Sequence, residues 1–67
     1  MPSKRPTVTI EDVVCIAETD KAILCVIDGD EVWLPLSQVD DDSEVYQKGG
    51  EGSLVITEYI AREKKLV

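Results

Sequence analysis

The chain has no histidine and no phenylalanine, one tryptophan, two cysteines, and seven basic side chains against fourteen acidic ones. Each shortage excludes something. Without histidine the commonest general base and the commonest metal ligand are missing. Cys15 and Cys25 form no C-x-x-C pair, and two thiolates cannot complete a tetrahedral zinc site within one chain. A net charge of −7 opposes direct binding of nucleic acid, because phosphate contacts draw on clustered Lys and Arg. The longest apolar run, Ala22-Ile23-Leu24-Cys25-Val26-Ile27, falls far short of the roughly 20 residues that span a bilayer. The start, MPSKRPTVTI, carries Lys4 and Arg5 but no apolar stretch behind them, so neither a secretory signal nor a membrane role is expected. The expectation is a non-enzyme without cofactor or metal.

What is present suits one small domain. Of 67 residues, 43% are hydrophobic and 31% charged, a globular composition. A chain this short buries only about 60% of the surface it exposes unfolded. Residues Met1 to Pro6 read as a flexible tail and residues 7–67 as the domain. Thr7 to Ile10 is β-branched throughout, which favours a strand. The apolar phase slips after Glu11-Asp12, so Thr7 to Glu18 reads as one strand bent near Asp12. Thr19-Asp20 is a turn. Lys21 to Ile27 follows as a strand apolar on both faces, and such a strand is usually covered on both. Asp28-Gly29-Asp30 signals a hairpin, and Glu31 to Leu36 a third strand that must end at Pro35 or run along an edge. Val45-Tyr46 and Leu54-Val55-Ile56 flank a Gly-rich stretch that reads as a hairpin loop. Thr57 caps a terminal helix of roughly ten residues, with Glu58 early and Arg62, Lys64 and Lys65 late, in the order the helix dipole favours. The expected fold is mainly β (α+β): a five-stranded bent sheet or partly open SH3/OB-like barrel with one C-terminal helix. Cys15 and Cys25 read as buried reduced thiols; a disulfide between neighbouring strands is the alternative.

The segment KAILCVIDGDEVWLPLSQ, Lys21 to Gln38, resembles a motif of small phage and prophage proteins: a Lys-Ala-x-Leu strand, an acidic Gly turn, then Val-Trp-(Ile/Leu)-Pro-x-Ser-Gln. The similarity runs on loosely through Asp40 to Glu44 and TEYIAREKKL. Leu36 stands where that pattern favours lysine. The resemblance implies a phage-type accessory protein in a bacterial host cytoplasm and carries no defined activity.

Trp33 faces opposite Val32 and Leu34 and is the first candidate contact, since tryptophan is enriched at interface hot spots; the structural alternative is that the helix packs over it. Ser37 and Gln38 offer a hydroxyl and an amide at a strand exit, for a ligand or for a local turn. Asp40, Asp41, Asp42 and Glu44 form an acidic run without the glycine and ligand alternation of a calcium loop. They read as a solvated loop or as an acidic contact patch, joined by Asp20, Asp28, Asp30 and Glu31.

Three functions follow. The first is a non-catalytic protein that contacts a host or phage macromolecule, possible targets being nucleic-acid-processing or defence proteins inhibited through the acidic surface. The second is a homo-oligomer binding a small anionic ligand such as a nucleotide, with Trp33 or Tyr59 stacking and Lys21 and Arg62 holding phosphate. The third, a small-barrel binder of single strands, runs against the charge. Self-association is expected in any case, because a sheet this small has neither metal nor disulfide to staple it.

Overall fold

The computed structural model describes residues 6–66; of the expected tail, only Pro6 falls among them. The elements are β1 (Thr7–Glu18), β2 (Ala22–Ile27), β3 (Asp30–Pro35), a 3₁₀ turn (Leu36–Gln38), β4 (Glu51–Thr57) and α1 (Glu58–Glu63). The strands make one open antiparallel sheet in the order β3-β2-β1-β4.

The bend expected in β1 is a bulge. Its register against β4 shifts between Ile10 and Val13, and Asp12 there has φ 59°. A short polar side chain tolerates that left-handed conformation. The one extra residue returns Val13 and Cys15 to the inner face, where both are buried. A second shift, against β2, falls between Cys15 and Ala17. At that point Cys15 receives a bond from Gly49 N–H (2.9 Å) and donates its own to the Gly50 carbonyl (2.8 Å). The β2–β3 turn has positive φ at both central residues, Asp28 (52°) and Gly29 (82°), the twist that a two-residue hairpin requires.

The expected fifth strand is absent from the described residues. Val45-Tyr46 lies outside the strands, and β4 starts only at Glu51. The segment from Val39 to Glu44 runs beside β4 in its place. Val39 bridges Ile56, Asp40 N–H donates to the Val55 carbonyl (2.8 Å), and Glu44 N–H donates to the Ser53 carbonyl (2.9 Å). Between them the buried Ser43 Oγ accepts from Val55 N–H (3.0 Å) and Val45 N–H (3.2 Å) and donates to the Val45 carbonyl (2.8 Å). A hydroxyl thus stands where a strand would offer a carbonyl. The sequence pattern misses this because Asp, Asp and Ser read as loop, and only side-chain chemistry makes them a lane of the sheet.

The helix is shorter than its sequence suggests. Thr57 Oγ1 accepts from Ile60 N–H (3.3 Å), so the cap is where expected. The other end closes early. Lys65 adopts φ 60°, Lys65 N–H donates to Arg62 O, and Leu66 N–H donates to Ala61 O. That is a Schellman closure built on lysine, and it turns Leu66 back against the core. Ile60 and Ala61 join Ile23, Leu34, Leu54 and Ile56 inside.

Replacing Ser43 with alanine leaves two backbone N–H groups without their acceptor, which costs about 1–3 kcal/mol. Urea denaturation checks it. The midpoint of Ser43→Ala falls well below wild type.

Candidate binding face

The register fixes which side chains share the outer face of the sheet. Trp33 pairs with Leu24, and Leu24 with Ala17. The next row runs Glu31, Val26, Val14, Glu51, and beyond Trp33 lies the pair Pro35–Ala22. Side chains of directly paired residues point the same way, so these rows form one surface. It is apolar at its centre, with a carboxylate at either end of the second row. Val14, Ile16 and Trp33 are exposed, Trp33 by 46%, and Leu24 and Val26 are half-buried. The inner flank of β2, by contrast, is fully packed: Ile23 and Cys25 are buried. The helix packs against β4 and β1 and contributes Ile60 and Ala61 to the inner core, so it does not serve as a cover for Trp33.

The six candidate binding residues do not converge. Gln38, Tyr59 and Arg62 line one shallow groove of about 420 Å³ with Pro6, Thr57 and Glu58. Gln38 is already engaged there, since Thr57 Oγ1 donates to its Oε1 (2.6 Å), which braces the helix cap against the 3₁₀ turn. Arg62 pairs with Glu58 at 3.5 Å, an exposed contact of the kind that contributes little. Tyr59 is 66% exposed. Trp33 belongs to the sheet face, Ser37 is exposed on the 3₁₀ turn, and Lys21 sits in the β1–β2 turn with its carbonyl accepting from Leu36 N–H (2.8 Å).

The acidic run divides by role. Asp40 Oδ1 accepts from Asp42 N–H (3.0 Å), and Glu44 Oε1 accepts from Ser53 N–H (2.9 Å), so both carboxylates hold backbone. Asp40 and Asp41 also line an open groove of about 490 Å³ with Leu36, Val39 and Tyr46. Among the described residues no group of three or more His, Cys, Asp or Glu is placed to hold a metal, and no helix is long and apolar enough to cross a membrane.

Sequence reasoning missed Val14 and Ile16 as members of the outer face. Their signal was present in the run Val13-Val14-Cys15-Ile16, whose alternate residues must point away from the core once Val13 and Cys15 point in.

Cys15 and Cys25 are directly paired across β1 and β2, buried, and free. Cys15 Sγ donates to the Ala17 carbonyl (3.2 Å). Burial first, then the adjoining Cys15 thiol, pushes the Cys25 thiol up from 9.0 to about 12.

The geometry defines a small mainly β domain with one packed and one open sheet face. No protein-family model matches the chain, and no curated protein or solved structure matches it.

The Cys25 shift has a definite sign. The folded state keeps its proton to higher pH than the unfolded state, so the stabilisation is complete below about pH 9 and is lost as pH rises towards 12. Thermal unfolding followed by circular dichroism should fall more steeply across that window in wild type than in Cys25→Ala. Equal slopes would remove Cys25 as the cause.

Proposed function

We propose that this is a non-catalytic binding protein that docks a protein partner on the outer face of β1, β2 and β3, anchored by Trp33 on the edge strand. One observation carries the reading. A tryptophan lies half-exposed on the edge strand, at the end of an apolar surface that continues inward through Leu24, Val26, Val14 and Ile16. A large aromatic in an apolar patch with a polar rim is the usual anatomy of a contact surface. The rim is acidic, with Glu31 and Glu51 on the face, and the chain carries −7 overall, which favours a cationic partner and speeds encounter with one. The likeness of Lys21 to Gln38 to small phage proteins supports a phage-type accessory role in a bacterial host, with a nucleic-acid-processing or defence protein as the kind of target. A second copy of the chain competes for the same surface.

A second reading rests on the groove at Gln38, Tyr59 and Arg62. A small anionic ligand such as a nucleotide would stack on Tyr59 and meet Arg62, with Lys21 supplied by a neighbouring subunit of a homo-oligomer. Glu58 in the same groove opposes an anion.

Affinity capture from bacterial lysate separates the two readings. Wild type and Tyr59→Ala retain the same partner, and Trp33→Lys loses it while its melting temperature stays within a few degrees of wild type. Capture of nothing above background, or equal capture by Trp33→Lys, overturns the first reading. A thermal shift with a nucleotide panel that Tyr59→Ala abolishes favours the second.

A further inference from the structure

The edge of the sheet next to Trp33 carries a further feature. Leu36 N–H donates to the Lys21 carbonyl at 2.8 Å, which marks Lys21 and Leu36 as a hydrogen-bonded pair of the β2–β3 ladder. Such pairs alternate along an antiparallel ladder. In the observed register, Ile23–Leu34, Cys25–Val32 and Ile27–Asp30 therefore exchange bonds, whereas Leu24–Trp33, Val26–Glu31 and Ala22–Pro35 do not. The backbone N–H and C=O of Glu31 and Trp33 consequently point away from β2, and β3 is the outermost strand of the sheet. Pro35 falls in the same outward set, at the place where a missing N–H costs the ladder nothing.

Three properties meet on this one edge. It offers two donors, from Glu31 and Trp33, and three acceptors, with the Pro35 carbonyl, in strand geometry. It is continuous with the apolar row of Trp33 and Leu24. It is also acidic, because Asp28, Asp30 and Glu31 are all exposed at its hairpin end. Resting on the docking reading above, we infer that the partner adds an extended segment as a new strand beside β3. Its main chain pairs with Glu31 and Trp33, an apolar side chain covers the Trp33 ring, and a lysine or arginine meets the carboxylates at the hairpin. The charge selects the occupant. A second copy of the chain would bring the same carboxylates to the interface and raise the combined charge to twice −7, whereas a basic strand neutralises it. Strand addition to an open edge is a common mode of peptide recognition, in which backbone bonds supply affinity and alternate side chains supply specificity.

The test uses the intact chain and three peptides, each acetylated and amidated: KVKVKVK, the acidic counterpart EVEVEVE, and KVKVKVK with N-methyl groups along one backbone edge at a time. Amide hydrogen exchange by NMR, together with Trp33 fluorescence, reads the outcome. The inference expects KVKVKVK to slow exchange at Glu31 and Trp33 and to shift tryptophan emission to the blue. It expects EVEVEVE to do neither. Methylation of the pairing edge weakens binding by about tenfold, the effect of losing one or two net hydrogen bonds, and methylation of the other edge leaves binding unchanged. If KVKVKVK perturbs Val14, Leu24 and Val26 but Glu31 and Trp33 exchange as before, strand addition is overturned while docking on the face stands. Slow exchange at Glu31 and Trp33 without peptide, in a chain that light scattering shows to be a dimer, overturns the basic occupant in favour of a second copy. Absence of any peptide effect at β3 overturns the inference, and the lysate capture with Trp33→Lys then decides the docking reading independently.

Discussion

A sheet has two faces, and this chain of 67 residues has, among the described residues, only one six-residue α-helix besides its four strands with which to cover them. Here the spare chain goes to one side. The six-residue helix, Val45 and the turned-back Leu66 all pack with the inner flanks of β1, β2 and β4, leaving the outer flank to solvent. Nothing in the composition compensates by making that flank polar, since β2 is apolar in both phases. The exposed tryptophan, the half-buried Leu24 and Val26, and the acidic margin all follow from that unequal allotment of chain. Domains of this size bury a smaller fraction of their surface than larger ones do, so an uncovered apolar flank weighs heavily in their stability.

The same shortage explains how the polar segment after the 3₁₀ turn is used. Too irregular for a strand, it still must satisfy the second edge of β4, because buried backbone groups without partners are costly. Ser43 supplies an acceptor, Asp40 orders its own turn, and Glu44 reaches Ser53. Three residues of a run that looks like surface charge are thus part of the scaffold. The exposed carboxylates of the β2–β3 hairpin lie on the opposite edge of the sheet.

Much of this was legible in the residues. β-Branched runs, the phase slip at Asp12, the Asp28-Gly29 turn and the Thr57 cap each fixed a local conformation, and each stands where the pattern put it. What was not legible depended on contacts distant in sequence. The fifth lane is written in a serine hydroxyl meeting Val55, and no periodicity records that. The helix ended early because Lys65 took a left-handed conformation that glycine usually marks. The separation of Trp33 and Lys21 from the groove of Gln38, Tyr59 and Arg62 came from topology: the chain passes from the sheet face at Trp33 to the helix groove at Gln38 in one short turn.

Pro35 sets a limit on what the bare edge can do. It closes the outermost strand two residues past Trp33 and offers an oncoming chain a carbonyl but no proton. Pairing is held to a stretch of about two residues, long enough to register a short guest and too short to template the unlimited side-by-side growth by which open sheets turn into fibrils. An edge interrupted in this way is a poor template for growth of that kind.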